Sequence, residues 1–198
     1  MSPILVRLFF ALLVISPSLP FSGQALASAV NLPQTGQTTC YDSSGTVKPC
    51  VGTGQDGDFQ AGVAWPDPRF TVSGSCVTDN LPGLMWAKNA NLPKGGITWQ
   101  EALDYAKGLN LCGYSDWRLP NVNELESLFH AGQEESTTWL KTRGFANVQS
   151  AFPYWSSSSV ASSPNHAWVV SISYGYVDVG CLGGKGDRYF VWPVRSGQ

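Results

Sequence analysis

Nucleophilic chemistry needs a hydroxyl or thiol beside a base. This chain holds two histidines to serve as that base, His130 and His166. The hydroxyls of residues 156–159 come shortly before His166, but no nucleophile-elbow pattern surrounds them, so a serine hydrolase is not expected. No Cys or His pair has the spacing of zinc ligands, and no metal is expected. Asp56-Gly57-Asp58 brings two carboxylates to one turn. It lacks the other oxygen ligands and the closing Glu of a calcium loop, so it reads as a solvated turn. Glu134 and Glu135 are adjacent, point apart, and read as solvated surface. Asp116-Trp117-Arg118 could grip an anion through a bidentate guanidinium. The favoured reading instead pairs Arg118 with Glu124 and packs Trp117 between helices and sheet. Arg195 reads the same way, as a structural cation. No cofactor is expected, and the chain reads as a non-enzyme.

Binding is the better reading. Sugar rings expose apolar C–H faces that stack on aromatic side chains, and their hydroxyls seek polar partners. The loop-rich part from Trp139 to Arg188 supplies both. Its candidate ligand-binding residues are Trp139, Tyr154, Asn165, His166, Tyr174, Tyr176 and Asp178. Lys141, Arg143, Lys185 and Arg188 are the candidate anion-binding residues, in a chain of net charge −2. That balance lacks the basic footprint of a nucleic-acid binder. The expected partner is a glycan or a cell-surface protein. Glu-Pro-Asn, Gln-Pro-Asp and Trp-Asn-Asp are absent, so calcium-dependent sugar binding is not expected.

These residues need a scaffold. Residues 70–72 and 76–78 are β-favouring and flank a Ser73-Gly74-Ser75 turn, and Pro82-Gly83 suits a type II turn into the run 84–86. A helix follows. Thr98 and Glu101 have capping-box spacing, Trp99, Ala102, Leu103, Ala106 and Leu109 recur at helical period, and Gly108 marks the stop. Asn121 and Glu124 open a second helix with Leu125, Leu128 and Phe129 on its apolar face and Gly132 at its end. Residues 138–143 form a third, short helix stopped by Gly144. The period then changes to two. Strands are expected at 154–158, at 167–173 with Trp168, Val170 and Ile172 on one face, at 176–179, and at 189–195 with Phe190, Trp192 and Val194 inward. Pro193 places that last strand at an edge or a bulge. Trp86, Trp99, Trp155, Trp168 and Trp192 fall at core-facing positions. Helices followed by an antiparallel sheet make the fold class α+β, loop-rich, with two helices packed on antiparallel sheets.

Five segments sharpen this reading: TDNLPGLMW, TWQEALDYAKGLN, GYSDWRLPNVNELESL, YWSSS and YFVWPVRSG. In their order and spacing, from about Arg69 to Gly197, they resemble the bacterial domain named for the C-terminus of the Legionella collagen-like adhesin. The resemblance implies a C-type-lectin-like fold, shared in outline by formylglycine-generating enzymes. Those enzymes rely on a cysteine pair, whereas the C-terminal half of the resembling region here holds only Cys181. The adhesin domain is associated with adhesion to sulfated glycosaminoglycans. The resemblance therefore implies a lectin-like, adhesion-type binding module. The alternative is a structural or assembly protein acting through protein contacts.

The N-terminus sets the compartment. Arg7, an apolar run, and Ala25-Leu26-Ala27 have the layout of a secretory signal peptide, residues 1–27. The apolar run is shorter than the roughly 18–20 residues that span a bilayer. No membrane insertion is expected after cleavage before Ser28, and no cysteine follows for a lipid anchor. The expected location is the bacterial periplasm or the exterior. Residues 28–68 read as an irregular N-terminal extension anchored by Phe59 and Trp65, and residues 69–198 as the domain. In an oxidising compartment the five cysteines are read as a disulfide framework. Cys40 pairs with Cys50 around a Ser-, Gly- and Pro-rich loop, and Cys76 with Cys112 across the first helix. Cys181 is left over, either as a buried thiol or as a reactive or intermolecular one.

Overall fold

The structure is a computed structural model that describes residues 32–178 and 183–197. The expected signal peptide, Ser28 and Cys181 lie outside the described residues. The chain opens with a small hairpin, β1 (Cys40–Tyr41) and β2 (Val47–Lys48), and a one-turn helix, α1 (Asp56–Phe59). Then come β3 (Phe70–Ser73), β4 (Cys76–Asp79), β5 (Leu84–Ala87), α2 (Trp99–Lys107), α3 (Val122–Glu126) and α4 (Ser136–Thr142). β6 (Tyr154–Ser159), β7 (Ala167–Ser171), β8 (Tyr176–Asp178) and β9 (Val194–Ser196) complete it. One antiparallel sheet runs β3-β4-β5-β9 and a second runs β6-β7-β8. The class is α+β.

Local chemistry explains most of these elements. Gly74, at φ 57°, turns β3 into β4 over two residues. The expected tight turn at Pro82-Gly83 is instead a four-residue loop, 80–83, closed by the Gly83 N–H on the Asp79 carbonyl at 3.0 Å. Thr98 and Glu101 form the capping box of α2, with the Thr98 N–H donating to the Glu101 carboxylate at 2.8 Å. Asn121 and Glu124 do the same for α3, at 2.9 and 2.8 Å. α3 ends at Glu126, well before Gly132. There the Leu128 and Phe129 N–H groups switch to i→i−3 carbonyls, and Arg69 takes the Ser127 carbonyl. Gly144, at φ 97°, follows α4.

Two cores share the molecule. The larger joins Trp86, Trp192, Tyr154, Leu125, Leu128 and Leu140. The smaller packs Ala102 and Ala106 of α2 on Trp155, Val169 and Val191. β7 lies between them, sending Val170 to the first core and Val169 to the second. A single apolar face of 167–173 is thus corrected: both faces are buried, and Trp168 is only half-buried. Trp99 is half-buried as well.

The last segment also differs from expectation. Only Val194–Ser196 is strand. Pro193 has no N–H to donate, yet its carbonyl accepts from Ala87 at 3.0 Å. Val194 pairs with Trp86 on one side and exchanges two backbone bonds with Arg118 on the other, so this segment is no free edge there.

Cys40–Cys50 and Cys76–Cys112 are both bonded, with Cα separations of 5.1 and 6.5 Å. The Asp56-Gly57-Asp58 turn opens α1, where Gly57 packs directly on the first disulfide. Phe59 does not anchor the extension, being 71% exposed. Trp65 does, with its ring against His130, Trp139 and Arg69. No helix among the described residues is long and apolar enough to cross a membrane.

Candidate functional site

α4 is the element that builds the candidate site. Its buried face carries Leu140 into the core, and Trp139 sits at the core's rim, 7% exposed. A cleft opens on each flank of Trp139. The first, of about 450 Å³, is lined by Trp65, Asp67, Arg69, His130, Trp139 and Arg143, among others. The second, of about 600 Å³, is lined by Gln133, Glu134, Glu135, Thr138, Trp139, Thr142 and Tyr174. A third, of about 360 Å³, continues from Gln133 and Glu134 to Gln37, Thr39 and Tyr41.

The first cleft is cationic and aromatic. Arg69 is buried and pairs side-on with Asp79, Nε to Oδ1 at 3.1 Å and Nη2 to Oδ2 at 2.9 Å. Nη2 also donates to the Ser127 carbonyl. The guanidinium lies 4.2 Å from the Trp65 ring centre. His130 stands edge-on to Trp65 and Trp139, at 4.7 and 4.6 Å. Its Nδ1 accepts from the Gly132 N–H at 3.1 Å, which puts the neutral ring's proton on Nε2. Burial, then the charges of Arg69 and Arg143, hold its pKa below the usual value.

The second cleft is hydroxyl-rich and acidic. A hydrogen bond from the Thr138 hydroxyl holds the Glu135 carboxyl below the usual carboxylate range. Tyr174 projects from the β7–β8 turn, 72% exposed. Gly175 beside it touches the Phe129 ring so closely that no Cβ would fit.

The structure divides the residues singled out in the sequence. Trp139 and Tyr174 line one cleft, and Arg143 lines the neighbouring one. Lys141 is exposed on α4. Tyr154 is no ligand platform. It is fully buried against Phe190 and Trp192, and its hydroxyl accepts from the Gln149 N–H at 2.7 Å. Burial pushes that phenol's pKa up. Asn165 and His166 belong to a different surface. Ser163 Oγ and Asn165 Oδ1 both meet His166 Nδ1, at 3.0 and 3.1 Å. Both partners come from the same short turn as His166, and they clasp that turn. Lys185 sits there too, its ammonium held by Ser159 Oγ and the Pro164 carbonyl and 4.0 Å from the Trp99 ring centre. Arg188 reaches Glu101 at 3.9 Å. The four cations are therefore split between α4 and the α2 side, and the single basic patch is corrected. Tyr176 and Asp178 lie in β8, with their side chains outside the described part.

Arg118 pairs with Glu124 at 2.6 Å, and Arg195 with Asp116 at 2.7 Å, so both serve structural ion pairs. Among the described residues no three His, Cys, Asp or Glu side chains group as metal ligands. The sequence reading missed Arg69, Thr138 and Gln133 as lining residues. No local spacing signals them, because the clefts are assembled from distant segments.

The model of the Lcl C-terminal domain family matches residues 75–195, more than half of the chain. No curated protein and no solved structure matches.

Proposed function

The chain belongs to the Lcl C-terminal domain family, and from that premise we propose a lectin-like binding module of the periplasm or cell exterior that holds glycans without transforming them. The observation that carries this reading is the roughly 600 Å³ cleft between Trp139 and Tyr174, whose other walls are amide, hydroxyl and carboxylate groups. Aromatic faces with a few polar groups are the composition that sugar rings select, and the volume is that of a small-molecule site. Two disulfides suit an oxidising compartment, in line with the secretory leader read from the sequence.

A glycan-array assay on the protein from Ser28, with and without EDTA and at two salt concentrations, tests the reading. Binding that survives EDTA is expected. Silence across the whole array would refute it. A second reading, protein-mediated assembly, is favoured by one feature: Val47, Val51 and Phe59 of the extension are 65%, 92% and 71% exposed. Cross-linking into defined oligomers at micromolar concentration would support that alternative.

A further inference from the structure

We infer that the Trp139–Tyr174 cleft takes a saccharide without anionic groups, neutral or amine-bearing, and that the segment ahead of the matched domain forms one wall of its site. This rests on the glycan-binding reading above and narrows it. The charged groups lining the second and third clefts are Glu134 and Glu135, and neither cleft has a lining Lys or Arg. The Thr138 hydroxyl donates to the Glu135 carboxylate and favours its ionised form. A sulfate or uronate placed there meets like charge from two exposed carboxylates, which disfavours it. An ammonium meets attraction. Neutral rings gain the exposed Tyr174 ring, the rim of Trp139 and hydroxyl partners without that repulsion.

The wall from the N-terminal segment is fixed in place. The Ala131 N–H donates to the Thr35 carbonyl at 2.9 Å. A Cβ on Gly36 would lie 2.6 Å from His130 Cε1, so only glycine permits this approach. Tyr41 is held at both backbone groups by the Gln55 amide, at 3.1 and 2.8 Å, and follows the disulfide at Cys40. Gln37, Thr39 and Tyr41 thereby face Gln133 and Glu134 across one groove. The family match begins only at residue 75, so this wall stands outside it. The exposed cation Arg143 belongs to the other flank of Trp139. Anionic and non-anionic ligands would therefore use different sides of α4.

The test is calorimetric titration of the protein from Ser28 with three probes: an N-acetylglucosamine oligomer, its deacetylated amine form, and heparin. The expected order places heparin weakest. Glu134→Gln with Glu135→Gln should weaken the amine form by roughly ten-fold while sparing the neutral oligomer. Tyr41→Ala should weaken both by several-fold. Melting curves of each variant confirm that folding is intact. Tightest binding to heparin, lost in Arg143→Gln, would overturn this inference and leave the glycan-binding reading standing. Unchanged binding of both oligomers in a folded Tyr41→Ala would remove the N-terminal wall. No binding of any probe, here or on the array, would overturn the reading itself.

Discussion

The Arg69 guanidinium lies 4.2 Å from the centre of the Trp65 ring, so a tryptophan of the N-terminal extension caps a buried cation just ahead of β3. Arg69 is already paired with Asp79, and Trp65 also meets His130 and Trp139. One side chain thus joins the N-terminal extension to the sheet, to the turn after α3 and to α4.

Trp65→Ala should destabilise the protein by about 2–3 kcal/mol, less than full burial would cost because the ring is only half-buried. Urea unfolding followed by circular dichroism checks it. A mutant with the wild-type midpoint would show that the extension is not docked through this ring.

Asp79→Asn should cost more, about 3–5 kcal/mol, because it leaves the 5%-exposed Arg69 side chain without its counter-charge. Replacing both partners, Arg69→Met with Asp79→Leu, should recover much of that loss. If the double variant is less stable than Asp79→Asn, the pair contributes more than mutual neutralisation.

His130 sets a pH dependence. Its folded pKa is depressed below the ordinary 6.5 by burial and then by the Arg69 and Arg143 charges. The unfolded chain therefore binds the proton more readily than the folded one. The stability from neutral His130 is fully present above about pH 6.5 and is lost as pH falls below it toward the folded pKa. His130→Phe keeps an aromatic ring and should flatten the stability–pH curve in that window. An unchanged slope would assign the effect to other groups.

Removing the Cys76–Cys112 bridge by a double Cys→Ala change should cost about 3–4 kcal/mol, from its 36-residue sequence separation in the chain-entropy account. Losing Cys40–Cys50, with a separation of 10, should cost less and should mainly loosen Tyr41. Thermal melts of the two variants order them. The reverse order would mean that the small clasp holds more of the molecule than its loop.

Glu124 supplies an acid-limb test. Burial pushes its carboxyl up, but the Arg118 hydrogen bonds, the Asn121 N–H and the Arg118 charge outweigh that and leave it below the usual 4.5. Its contribution is present above about pH 4.5 and fades as pH falls through the folded value. Glu124→Gln should therefore be less stable than the parent at pH 7 and converge with it in acid. Parallel curves down to pH 3 would rule out this linkage.

The sequence by itself determined whatever depends on neighbours along the chain. Thr98 with Glu101 and Asn121 with Glu124 each satisfy helix-end N–H groups over three residues, so both helix starts were legible, as were the turns at Gly74 and Gly175. Cys40–Cys50 was suggested by closeness along the chain, Cys76–Cys112 by a helix expected to pack back on its sheet, and Arg118–Glu124 by two opposite charges six residues apart. Tertiary structure alone decided the rest. Alternation in β7 shows that two faces exist, but not that each meets its own core, so Val169 was misplaced. Tyr154 reads as a sugar platform until Phe190 and Trp192 close over it. The clefts beside Trp139 draw on residues 37–41, 65–69, 130–135 and 174, and hydrogen bonds and ring contacts between those distant segments leave no periodic trace in the chain. Burial is a property of the packed molecule, and it determines which aromatic ring is core and which is left open to a ligand.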